Sequence, residues 1–89
     1  MERFFIDLTS VKDREQLYDR LNAVLPLPEW CGRNLDALYD AFTGEMHDVR
    51  IFFRGASEAE EKLGGYFSMF QTMCEEACEQ NLSLEIFFQ

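Results

Sequence analysis

Val49-Arg50-Ile51-Phe52-Phe53, in the middle of the chain, reads as a strand, and its distance from two similar runs decides the fold. One such run is Phe4 to Leu8, near the start, and the other is Leu82 to Phe88, near the end. Each is rich in Phe, Ile, Leu or Val and bounded by polar or turn residues. The stretches between them are about forty and about thirty residues long, far more than a hairpin needs and the right scale for helical crossovers between parallel neighbours. The pattern predicts an α/β fold: a three-stranded parallel sheet with about four helices packed on it, joined by right-handed crossovers. At 89 residues the chain has room for one domain, 1–89, with one core. Nine Phe, three Tyr and one Trp supply the buried area that a small domain needs.

The connecting stretches carry their own punctuation. Helix one is expected from Lys12 or Asp13 to Leu25, capped by Asp13 with Gln16 in capping-box position. Its apolar stripe is Leu17, Tyr18, Leu21, Val24 and Leu25, and Pro26 and Pro28 end it. A second helix opens at Asn34, a good N-cap, and runs to Thr43 with Gly44 as its stop. Ser57 is placed to cap a short helix through Leu63, which Gly64-Gly65 breaks. The last helix, from Tyr66 or Phe67 to Gln80, has Phe67, Phe70, Met73, Cys74 and Ala77 on its inner face. Asn81 suits the left-handed position that closes such a helix.

Seventeen acidic against eight basic side chains give a net charge of −9. That balance argues against nucleic acid and against an anionic membrane surface, since both call for Lys and Arg. It favours a basic protein partner steered in by the field. Neither a signal peptide nor a membrane span is read near Met1. The cysteines, Cys31, Cys74 and Cys78, are odd in number, so they read as reduced thiols of a cytoplasmic protein. Cys74 and Cys78 fit buried helix positions better than a metal site, because His47 is the only histidine and has no soft ligand near it in sequence. No metal or cofactor is expected.

The second helix divides sharply. Leu35, Leu38 and Phe42 share one face, while Asp36, Tyr39, Asp40 and Thr43 share the other at i, i+3, i+4 and i+7. Two like charges four residues apart repel by roughly 0.2–0.5 kcal/mol, and neither aspartate has a Lys or Arg four residues onward to pair with. Paired acids beside an aromatic and a hydroxyl look like a contact patch rather than a solubilising face. By contrast, Glu58, Glu60 and Glu61 read as the solvated side of a short helix. The preceding loop carries the only Trp, Trp30, which reads either as an interface anchor or as a core or lid residue closing the sheet edge.

The segment Leu27-Pro28-Glu29-Trp30-Cys31-Gly32-Arg33-Asn34-Leu35-Asp36-Ala37-Leu38-Tyr39-Asp40 closely resembles the signature of the barstar family, intracellular inhibitors of secreted bacterial ribonucleases. Thr43-Gly44 continues the match, and length and element order agree along nearly the whole chain. The resemblance implies a non-enzymatic inhibitor whose partner is a basic, extracellular-type ribonuclease of the barnase kind, with no cofactor and no need for more than a monomer. By the same resemblance, Asp40 is the central anion entering the active-site cleft in place of RNA phosphates, with Asp36 pairing to neighbouring basic groups. Thr43 and the Gly44 backbone add hydrogen bonds. Trp30, Cys31, Gly32, Asn34, Leu35 and Tyr39 form the surrounding contact surface, and Glu76 is a peripheral acidic contact. Four positions depart from the family pattern. Arg33 stands where an acid is usual, Cys31 replaces a second aromatic, Tyr39 replaces a larger one, and Glu45 stands where an aromatic follows Thr-Gly. They point to the same class of target with a different or narrower cognate enzyme. A rival reading keeps the acidic face but makes the chain an immunity or regulatory module for a basic protein that is not a ribonuclease. A small hydrolase using the Asp pair as acid and base lacks an evident pocket, nucleophile or metal.

Overall fold

The run from the middle of the sequence is the middle strand of the sheet. A computed structural model describes residues 1–89. The elements are β1 (Glu2–Asp7), α1 (Arg14–Val24), α2 (Leu35–Gly44), β2 (Val49–Arg54), α3 (Ala56–Leu63), α4 (Gly65–Gln80) and β3 (Leu84–Phe88). Strand order is β1-β2-β3 and both pairings are parallel, with Phe5, Phe52 and Phe87 in one register row and Ile6, Phe53 and Phe88 in the next. The expected α/β architecture is therefore the observed one. The first crossover holds α1 and α2, and the second holds α3 and α4.

Alternation along the strands sends Ile6, Val49, Ile51, Phe53 and Leu84 into the core. Against them lie Leu17, Tyr18 and Leu21 of α1, Leu38, Ala41 and Phe42 of α2, and Phe67, Phe70, Met73 and Ala77 of α4. Phe53 anchors the aromatic part, stacked on Phe88 at 5.2 Å and edge-on to Phe70 at 5.4 Å. The opposite face of the sheet carries no helix: Phe5 is 67% exposed and Phe87 41%.

Several element ends differ from the sequence expectation. Asp13 caps α1 by accepting from the Gln16 N–H, but the Gln16 side chain returns to the Lys12 N–H, one residue before the cap. Val24 falls at the edge of the α1 stripe and is exposed. Gly44 is the last residue of α2 rather than a stop beyond it. Gly55, not Ser57, is the N-cap of α3. Its φ of 79° is left-handed, and a Cβ there would meet Thr9 Cγ2 at 2.5 Å and the Thr9 backbone nitrogen at 2.9 Å. The close approach of the β1 and β2 ends thus requires glycine. β3 starts at Leu84, since Leu82 lies in the exposed turn before it.

Asn81 is the most informative difference. It is extended, with φ −125° and ψ 94°, not left-handed. Its side chain explains why: it is the buried polar residue of the core. Nδ2 donates to the carbonyls of Phe42, at 2.8 Å, and Met46, while Oδ1 accepts from the backbone N–H and hydroxyl of Ser83. One amide thus closes the C-terminal end of α2 against the turn into β3. Asn81→Ala would strand two buried carbonyls, so it should destabilise the fold by about 2 kcal/mol or more. Urea unfolding of the two proteins measures this, and a change under about 0.5 kcal/mol would show that water replaces the amide.

Candidate functional site

α2 begins where the sequence put it. Asn34 is extended, and its Oδ1 accepts from the Ala37 N–H at 2.8 Å. This cap fixes the phase of the helix and hence the direction of every side chain on it. Leu38, Ala41 and Phe42 turn inward and are fully buried. Asp36 and Asp40 stay exposed, and no cation forms an ion pair with either. Tyr39 and Thr43 lie between these faces and are half-buried. Leu35, which the sequence put both on the inward face and in the contact surface, is half-buried and forms a wall of a groove beside α4.

The loop before α2 supports the cap. Gly32 packs so tightly that a Cβ would lie 3.0 Å from Asn34 Nδ2 and 3.5 Å from Ala37 Cβ, so a larger residue would push on the capping amide. The Cys31 thiol lies over the first turn, 3.7 Å from the Ala37 carbonyl. Burial, with a smaller contribution from the Asp40 carboxylate, holds its pKa above the ordinary thiol value. Trp30 is 60% exposed, so it is neither a core residue nor a lid on the sheet edge. Thr43 donates its hydroxyl hydrogen to the Tyr39 carbonyl at 2.8 Å, which leaves chiefly its oxygen lone pairs for an outside group.

Glu76 of α4 meets the same site. A groove of about 520 Å³ runs between α2 and α4, with Leu35, Asp36 and Tyr39 on one side and Met69, Thr72, Met73 and Glu76 on the other. Met69 and Thr72 were not singled out from sequence. Their spacing to Glu76, seven and four residues, put all three on one helical stripe, and that was the available signal. Met69 is 59% exposed, which gives the acidic groove an apolar edge.

Arg33 does not project as a free positive charge. Its guanidinium bonds Asp19 and the Glu15 carbonyl, each at 2.8 Å, lies 3.8 Å from the Glu15 carboxylate, and sits over the Tyr18 ring. Two carboxylates of α1 therefore offset the reversed charge and tie the loop to that helix. Tyr18 in turn shares a 2.5 Å hydrogen bond with Tyr66 of α4, linking α1 to α4 behind the site.

Against known proteins, a family model described as Barstar (barnase inhibitor) matches residues 1–89. The chain belongs to the barstar family. Among curated proteins it is similar to one of Bacillus subtilis (strain 168), printed as "Putative ribonuclease inhibitor YrdF", with 31% identity over 81 residues, covering 90% of this chain and 89% of that one. No helix of this barstar-family chain is long and apolar enough to cross a membrane.

The influence of the Asp40 charge on Cys31 can be measured. Asp40→Asn removes the charge that opposes thiolate formation, so Cys31 should alkylate faster with iodoacetamide at pH 8, by about twofold or more. Peptide mass spectrometry separates it from Cys74 and Cys78. An unchanged Cys31 rate would place the carboxylate too far away to matter.

Proposed function

We propose that this chain inhibits a ribonuclease of the barnase type by seating the acidic face of α2 in the active-site cleft. The observation that carries the reading is the exposed, unpaired Asp36 and Asp40 on a capped helix in a chain of the barstar family. A ribonuclease cleft gathers Lys, Arg and His to hold phosphates. A carboxylate held rigidly among them makes charge-assisted hydrogen bonds without offering a bond to cleave. Asp40 is the central anion. Asp36 and Glu76, across the groove, flank it for peripheral cations. Trp30 and Tyr39 supply apolar contact, and Gly32 and Asn34 hold the helix start in place. The Gly44 backbone and the Thr43 oxygen complete the surface. Inhibition is occlusion by a non-enzymatic cytoplasmic protein, and one copy suffices.

The net charge of −9 should accelerate encounter with a basic enzyme, and salt should slow it. The rival, a module for a basic protein that is not a ribonuclease, rests on the reversal at Arg33 and on Cys31 in place of a second aromatic. With Arg33 held by Asp19 and Glu15, the first of these loses most of its force, and the second stands. Cys31, Tyr39 and Glu45 remain as features that would tune which enzyme is bound.

Titration into a purified barnase-type ribonuclease tests the reading, and no inhibition at micromolar concentration would defeat it. Asp40→Ala should weaken inhibition by about a hundredfold or more, the scale of an unpaired buried charge at about 3 kcal/mol. Glu60→Ala, on α3, should leave it unchanged. Equal effects of the two substitutions would mean that the face is misassigned.

A further inference from the structure

The exposed face of α2 is too small to be the whole of a stable contact. Ten residues of helix run about 15 Å and stand about 10 Å wide. A standard interface covers about 800 Å² on each partner. A contact centred on Asp36 and Asp40 must therefore spread onto neighbouring elements. The α2–α4 groove that holds Glu76 continues into a second groove, also of about 520 Å³, which takes in α1. Leu35, Asp36 and Met69 line both, so the exposed Met69 stands as an apolar ridge between them. The second groove adds Arg14, Tyr18 and Tyr66.

Arg14 is the unusual member of that set. It is exposed, and its guanidinium carbon lies over the Tyr66 ring, 4.3 Å from the centroid. Tyr66 is held in turn by its hydrogen bond to Tyr18, so the guanidinium has a fixed seat. The ion pairs of the molecule belong to Arg33, with Glu15 and Asp19, and to Arg50, with Glu85. Glu15 lines the same groove as Arg14 but turns to Arg33, and Arg14 has no carboxylate within pairing distance. In a chain with seventeen acidic side chains, one cation thus stands unpaired beside the acidic face. Nor does its own helix call for it. Arg14 opens α1, where the positive end of the helix dipole disfavours a cation.

We infer that the ribonuclease contact runs on from α2 across Met69 to Arg14, where the enzyme presents an acidic side chain to the guanidinium seated on Tyr66. The inference rests on the inhibitory reading and adds a requirement on the partner. Its cleft supplies cations to Asp36 and Asp40, an apolar group covers Met69, and a carboxylate at the cleft's rim meets Arg14. One reversed sign at the edge of the contact fixes its register. It also disfavours enzymes that are basic all round the cleft.

The test uses the full chain and whichever of a panel of purified barnase-type ribonucleases it inhibits most tightly. Arg14→Glu adds two negative charges to the chain, so the overall field alone would speed association with a basic enzyme and tighten binding. Local pairing predicts the opposite: binding weakened at least tenfold, chiefly through faster dissociation. Arg14→Lys should stay within about threefold of the parent. Circular dichroism should show the fold retained in both, since the position is exposed. Arg14→Ala combined with neutralisation of each acidic residue at the enzyme's rim, one at a time, should reveal one pair coupled at least fivefold. Unchanged or tighter binding of Arg14→Glu would overturn the proposal, as would the absence of any coupled pair. In either case, continued loss of inhibition by Asp40→Ala would show the inhibitory reading intact. A chain that inhibits none of the panel would defeat both.

Discussion

Parallel strands cannot be joined by tight turns, and that constraint organises the molecule. β1 and β2 lie side by side in register, so the chain must leave the top of one and return to the foot of the other. One helix would be enough for the return. This chain uses two, and the second, α2, is the one whose polar side is not needed for the core. Leu38, Ala41 and Phe42 hold it down, and its opposite face is free to carry Asp36 and Asp40. The site is thus a by-product of the topology in its position, and a matter of sequence only in its chemistry.

Much of this was legible in the sequence because the signals are local. The strands announced themselves by composition, and the Asn34 cap and the α2 stripe by spacing. What escaped was decided by contacts between distant segments. Asn81 looked like a helix terminator, because nothing local says that Phe42 and Met46 present carbonyls to it. Gly55 took the cap from Ser57 because Thr9, far away in sequence, crowds that corner. Trp30 had two readings that only the exposed loop could separate. Arg33 looked like a change of charge at the rim until Asp19 and Glu15 were found beside it. Met69 and Thr72 belonged to the groove only once α4 lay against α2.

The two aspartates and the reversed arginine also show how charge is managed in an acidic chain. Arg33 and Arg50 are spent on internal pairs, with Asp19 and Glu15 in one case and Glu85 in the other. Asp36 and Asp40 are left unpaired on a helix that tolerates their repulsion. Such a surface is less favourable in isolation than one with compensating cations, and it becomes favourable when a basic partner supplies them.

α2 is fastened at both ends by asparagine: Asn34 ties the first turn to its own backbone, and Asn81 grips the carbonyl of Phe42 near the last. A helix held in this way has already lost its freedom when folding is complete. Little conformational entropy remains to be surrendered when a partner arrives, and more of the contact energy is left to appear as affinity.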